Sequence, residues 1–298
     1  MDVKNDPSSL LEQLSITPSA QKENAKEIYV KNSKGQDILI NPIIDTLEGL
    51  KSCCHAINNH LQTLPESERI VALDLEGINL GRSGTISIVQ LYPNQSNFVY
   101  LIDIFILQES AFSANRSEDN LKGILENPHI IKLLYDPRAD SDALYHLFHV
   151  RLQRVICCQL LNVAYRIFFK KHRVKYFFSL ARVIEDDLPL SDSLRAELLN
   201  LKKFGKTLFH TESGGDYLIF DKRPICQDLL YYCAIDVVLL PDLYHLYISA
   251  LDEQWIHKVV EESQNQVQVY LAPFVSGADI PASFLPSHCR PDPSLFPM

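Results

Sequence analysis

The sequence predicts an α/β fold on a mixed five-stranded sheet, an antiparallel meander continued by parallel strands, with flanking helices. Three observations carry this. The run Ile70-Val71-Ala72-Leu73-Asp74-Leu75-Glu76-Gly77 is apolar enough for a buried strand and takes up charge only at its end. Two further strand-like runs follow after links too short for a crossover, which makes all three antiparallel neighbours. The last two runs, residues 130–135 and 155–158, enclose a helical pattern, the arrangement of parallel strands joined by a crossover.

The elements follow in order. Residues 1–41 are polar and read as a loosely ordered extension, in which Leu10, Leu11 and Leu14 could form one helical turn or a docking segment. Asp45-Thr46 can cap a helix whose apolar positions Leu47, Leu50, Cys54, Ile57 and Leu61 keep helical spacing. After the central strand, residues 85–91 alternate polar and apolar, a turn follows at Pro93, and residues 98–102 form the third strand. A helix is expected over 118–125, a strand over 130–135, and a helix from Pro137 to about Phe148 with Asp136 as its cap. Helices are expected over 160–180, 191–206, 224–240 and 244–264, with a loop at 210–217 and an irregular Pro-rich tail from Pro273. This divides the chain into an extension (1–41), a main domain (42–250) and a C-terminal helix with its tail (251–298).

The chain has 298 residues, 46% hydrophobic and 22% charged, ordinary for a globular protein with a large core. Its formal net charge of -9 argues against general attraction to polyanions, so a nucleic acid would have to be held by metal ions and local basic patches. The seven cysteines include the adjacent pairs Cys53-Cys54 and Cys157-Cys158 and no CxxC spacing. That pattern fits reduced thiols in an intracellular protein of nucleus or cytoplasm, without a zinc site or disulfide framework. No apolar run of membrane-spanning length and no secretory signal are read, so no membrane partner is expected.

Side chains alternate along a strand, so Asp74 and Glu76 point the same way. Two such acids repel and are costly to desolvate, unless a divalent cation sits between them or the strand simply ends in solvent. Asp236 interrupts the apolar stripe of a late helix between Cys233 and Val237, and Tyr232 lies one turn back on the same face. Asp136, Asp140 and Asp142 compete as a fourth acid. Asp136 is best used as a cap. Asp140 shares a face with Ala143, Leu144 and Leu147, which must pack on the sheet, while Asp142 lies with Tyr145, His146 and His149 on a side expected to be solvated. A shifted register would exchange Asp140 for Asp142. Lys170, Lys171, Arg173 and Lys175, interleaved with Phe168, Phe169, Tyr176 and Phe177, suit contacts to a nucleic-acid strand, or else a solvated helix end beside packed aromatics.

Asp74-Leu75-Glu76-Gly77, the stretch from Lys132 to Leu144, and Tyr232-Cys233-Ala234-Ile235-Asp236 resemble, in order and spacing, the three motifs of the ribonuclease-D-like 3′–5′ exonucleases. These form the DEDDy branch of the ribonuclease-H-like superfamily. The resemblance covers about residues 43–250. Residues 138–148 are also similar to the exonuclease-like domain of the RNA-binding adaptor Egalitarian, and residues 223–241 to fungal exonuclease-domain proteins. The resemblance implies a ribonuclease-H-like fold and two Mg²⁺ or Mn²⁺ ions held by Asp74, Glu76, Asp140 and Asp236, with Tyr232 orienting the attacking water. It implies phosphodiester hydrolysis at a single-stranded 3′ end, of DNA or RNA, releasing nucleoside monophosphates. Cys157-Cys158-Gln159 stands where relatives often carry Asp-Thr-Gln, and Tyr135 where a histidine is common. Both departures lie outside the four expected ligands and bear on substrate fit. Two other readings are a catalytically idle nucleic-acid-binding or adaptor module on the same fold, and a hydrolase of small nucleotides.

Overall fold

A computed structural model of the chain describes residues 27–113, 120–172, 174 and 176–271. Seven strands form one sheet in the order β1-β2-β5-β4-β3-β6-β7: β1 Ile28–Lys31, β2 Asp37–Ile40, β3 Ile70–Glu76, β4 Ile88–Pro93, β5 Phe98–Asp103, β6 Ile131–Leu134 and β7 Val155–Cys157. Strands β3, β4 and β5 are the expected antiparallel meander, and β6 and β7 add in parallel beside β3. The helices are α1 Leu47–Gln62, α2 Ile104–Leu107, α3 Leu121–Glu126, α4 Pro137–Phe148, α5 Cys158–Phe168, α6 Leu180–Asp187, α7 Asp192–Phe209, α8 Gln227–Val238, α9 Leu240–Ala250 and α10 Glu253–Tyr270.

The sheet separates two apolar layers. Alternation along β3 sends Ile70 and Ala72 to the layer that holds Leu229, Cys233 and Val237 of α8. Val71, Leu73 and Leu75 go to the other layer, with Leu50, Cys54 and Ile57 of α1 and Ala143 and Leu144 of α4. Asp74 and Glu76 continue the first series. The period of two that buries the strand therefore aims both acids at α8.

The structure corrects the expected five strands to seven. Residues 28–40, assigned above to a loose extension, form the hairpin β1–β2, and β2 docks in parallel on β5. The turn is held by Asn32, whose Oδ1 accepts from the amides of Lys34 and Gln36 at 3.0 Å each. Val30, Ile38 and Ile40 are buried. Four-residue strands show too few alternations to stand out among polar neighbours, and docking on β5 supplies the missing stability. Residues 1–26, including Leu10, Leu11 and Leu14, and the tail from Pro273 lie outside the described residues.

The helix expected over 160–180 stops at Phe168, where Lys171 takes a positive φ of 56° and the chain turns back before α6. Arg166 and Lys170 turn there toward Asp187, at 3.5 and 2.5 Å. The strand expected over 85–91 starts later, at Ile88, and the helix expected over 244–264 is two, with Asp252 capping α10 by accepting from the Trp255 amide at 2.9 Å. Helices α8 and α9 together have the length and hydropathy of a membrane span, which the sequence reading did not register, but 61% of that apolar window is buried inside the protein.

Candidate active site

Strand β3 ends at Gly77, where the backbone of Thr85 passes so close that a Cβ would lie 2.0 Å from the Thr85 carbonyl oxygen. The Ile78 amide donates to Thr85 Oγ1 at 3.1 Å and the Thr85 amide to the Ile78 carbonyl at 2.9 Å, closing the loop that leaves the site. Glycine is the residue for such an approach. Just before it, carboxylate oxygens of Asp74, Glu76 and Asp236 lie within 4.8 Å of one another. Desolvation drives the Asp74 carboxyl well above its ordinary value, against the pull of the Lys202 ammonium. Desolvation raises Glu76 further, and the Asp74 charge adds to it. Both effects disfavour the charged form, so this cluster is costly when left without cations.

Asp140 sits in the first turn of α4, beyond the C-terminal end of β6. It is buried, and its Oδ1 has no hydrogen-bond partner among the described residues. Desolvation, then the charge of Asp74, then that of Asp136, hold its carboxyl well above the usual range. It faces Asp74 but does not belong to the 4.8 Å triplet. Asp136 caps α4 as expected, with Arg138 Nε 2.7 Å from its Oδ1 and Nη2 2.5 Å from its Oδ2. Asp142 is not solvated, contrary to expectation. It is buried, and accepts from the Arg82 backbone amide at 2.6 Å and from Arg82 Nε at 2.9 Å, with His146 Nε2 3.6 Å away. Arg82 lies in the loop that follows Gly77, so Asp142 ties that loop to α4.

Asp236 is buried on α8 and paired with Lys202 of α7. The Lys202 ammonium also lies 5.0 Å from the centroid of the Tyr232 ring. Burial lowers the Lys202 ammonium to about 8, while Asp74 and Glu76 pull it back up. Desolvation and then the charges of Glu76 and Asp74 raise the Tyr232 hydroxyl, which has no hydrogen-bond partner among the described residues. The ring packs on Gly205 of α7, edge-on to Phe209 at 5.2 Å, and Phe209 in turn touches the part-exposed Tyr217 at 5.4 Å. The segment leading into α8 is pinned to the sheet. Arg223 Nη2 donates to the buried Asp103 at 2.6 Å, and Ser87 Oγ to Asp221 at 2.6 Å.

The structure thus brings Asp74, Glu76 and Asp236 together, with Asp140 and Tyr232 beside them. Lys170 is not among them: it pairs with Asp187 at 2.5 Å and lies 5.2 Å from the Tyr165 ring. Lys171 is exposed, 4.9 Å from the Phe168 ring, and Arg173 and Lys175 lie outside the described residues. Sequence reasoning missed Lys202, Gly205 and Tyr217. A signal existed for the first: Leu194, Leu198, Lys202, Gly205 and Phe209 form one helical stripe, with a lysine in its middle.

The donor set is all oxygen, clustered, desolvated and partly orphaned at Asp140. That chemistry fits hard divalent cations such as Mg²⁺ or Mn²⁺ and disfavours zinc.

A family model described as 3′–5′ exonuclease matches residues 41–247. The piRNA biogenesis protein EXD1 of Mus musculus is 33% identical over 98 residues, 33% of this chain and 16% of that protein. Its Homo sapiens counterpart is also 33% identical over 98 residues, 18% of its length. The match thus spans about a sixth of each of these relatives. Among solved structures, Trypanosoma brucei RNase D in complex with RNA U12 superposes with a TM-score of 0.64 at 19% identity, covering 84% of this chain and 77% of that one. The GMP complex of the same enzyme gives 0.64 at 20% identity, covering 83% and 69%. At such identities the likeness is one of fold.

Proposed function

Since the chain belongs to the 3′–5′ exonuclease family, we propose that it is a metal-dependent nuclease that hydrolyses phosphodiester bonds from the single-stranded 3′ end of a nucleic acid and releases nucleoside monophosphates. The observation that carries the reading is the convergence of Asp74, Glu76 and Asp236 within 4.8 Å, with a buried, unpartnered Asp140 oxygen beside them. These four carboxylates would hold two divalent ions, which when bound supply positive charge to the attacking and leaving oxygens. The remaining work falls to the chain. Tyr232 presents beside the acids a hydroxyl with no partner among the described residues, suited to holding a water in line for attack. Gly205 and Phe209 fix its ring. Tyr217, part-exposed next to this pair, offers a face on which a terminal base can stack. The RNA and GMP bound in the T. brucei RNase D structures support RNA as a polymer and a mononucleotide as a product. One observation favours a second reading, a binding or adaptor module that no longer cleaves: Lys202 already neutralises Asp236.

The test is incubation of the purified chain with 5′-labelled single-stranded RNA and DNA, in Mg²⁺, in Mn²⁺ and in chelator. Stepwise shortening from the 3′ end with either ion, absent in chelator, supports the enzyme. Retention of labelled strands without shortening supports the adaptor.

A further inference from the structure

Lys202 is the one basic side chain named above that reaches the carboxylate cluster. It arrives from an apolar stripe, between Leu198 and Gly205 of α7, where a hydrocarbon would pack at lower cost. Its side chain is 11% exposed and that of Asp236 8%. The ammonium contacts Asp236 and feels the fields of Asp74 and Glu76 most strongly after burial itself. It therefore stands where a cation bridging these three acids would stand. An ammonium and a divalent ion cannot share the same Asp236 oxygen: they repel, and a hard ion requires that oxygen in its own coordination shell.

Resting on the metal-site reading above, we propose that Lys202 is a tethered cation that competes with a divalent ion for Asp236, so that loading of the site requires the lysine to withdraw. The cost of carrying this cation is a weaker hold on metal. Apparent affinity falls by the fraction of molecules in which the lysine is away. The benefit is a cluster of carboxylates that is partly neutralised while no ion is bound, which lowers their mutual repulsion in the metal-free chain.

The experiment is calorimetric titration of the full chain with Mn²⁺, without substrate, for wild type, Lys202→Met, Lys202→Gln and Lys202→Arg, each first checked by circular dichroism. Lys202→Met and Lys202→Gln should each bind Mn²⁺ at least tenfold more tightly than wild type, and Lys202→Arg should not. Mn²⁺ binding by both neutral variants at wild-type affinity would overturn the competition while leaving the metal site intact. No heat from folded wild type or either neutral variant at millimolar Mn²⁺ would overturn the competition and the metal reading together. A wild-type crystal soaked in Mn²⁺ gives an independent check. An anomalous peak against Asp236 with Lys202 turned away supports the proposal, and the same peak with the ion pair still made overturns it.

Discussion

Replacing Gly205 by alanine tests whether α7 sets the position of Tyr232. A Cβ at this position would lie 2.6 Å from Tyr232 Cβ, 2.7 Å from Cδ2 and 2.9 Å from Cγ. Ordinary carbon–carbon contact begins near 3.5 Å, so the ring must recede by about 1 Å or the two helices must part. Alanine in a helix interior is worth about 1 kcal/mol over glycine. Overpacking of a well-filled site costs about 1–3 kcal/mol. The balance is a loss of roughly 0–2 kcal/mol, or a melting temperature lower by no more than about 8 °C. Activity should suffer far more, since a displacement of about 1 Å at a positioning group can cost ~10²-fold in rate. The assay is single-turnover cleavage of a labelled oligonucleotide by Gly205→Ala, Tyr232→Phe and the double variant, beside thermal melts. If the glycine acts through the tyrosine hydroxyl, Tyr232→Phe lowers turnover without loss of metal, and the double variant is little slower than Tyr232→Phe alone. A more stable Gly205→Ala with wild-type turnover would refute the packing argument. A full additional loss in the Tyr232→Phe background would refute the link to the hydroxyl.

Other outcomes follow from the same geometry. Asp74→Asn should abolish cleavage and raise the melting temperature in chelator near neutral pH, because it removes a charge from a cluster that Lys202 compensates only in part; a marked fall in that temperature would count against the cluster's being repulsive. Asp140→Asn should lose metal-dependent cleavage, whereas Asp142→Asn should retain much of it and lose about 1–3 kcal/mol of stability through its broken bonds to Arg82; an inactive Asp142→Asn beside an active Asp140→Asn would reverse the assignment. Arg223→Met should cost about 3–5 kcal/mol by stranding the buried Asp103 and loosening the approach to α8, seen as an early urea midpoint. Lys132 is fully buried in β6 with its Nζ 2.5 Å from the Asn127 carbonyl, and burial, with Arg154 adding to it, pushes the ammonium down to about 7. Between that value and the ordinary 10.5 the unfolded chain holds a proton that the folded chain lacks, so this group makes stability rise with pH across the window and penalises folding below it. Lys132→Met should flatten that rise and stabilise the protein at pH 6, by at most roughly 5 kcal/mol; denaturant titrations at pH 6 and pH 9 that show an unchanged difference in stability would exclude this.

Much of the architecture was legible because its elements are long or strongly patterned. β3 carries four apolar residues before its first acid, α8 keeps its stripe for three turns, and Asp136-Pro137 marks the start of α4 in two letters. The hairpin β1–β2 was not legible, because each strand offers only four residues and gains its place by hydrogen bonds to β5. The break after Phe168 was equally hidden, since Arg166 and Lys170 read as helix formers and their partner Asp187 lies on α6. Asp142 was misjudged for the same kind of reason. Its neighbours Tyr145 and His146 look solvated in sequence, while the arginine that buries it comes from a loop sixty residues earlier.

The site itself was partly legible because it sits where local rules fail. Asp74 and Glu76 occupy inward positions of a buried strand, Asp236 interrupts the apolar stripe of α8, and Lys202 interrupts that of α7. Each exception alone is costly, by the desolvation of a charge. A single one could be a surface accident at the end of an element. Four such exceptions from three elements meeting at one point are not independent accidents, because Lys202 and the acids relieve one another's burial while the acids among themselves repel. Three are negative and one positive, so the cluster still lacks cations when Lys202 is counted. The strand and α8 acids match a known motif, whereas the lysine belongs to none. A charge in an apolar period calls for a partner of opposite sign, whichever its own sign. For Lys202 that partner is Asp236, and for the carboxylates left over the proposed divalent ions would supply it.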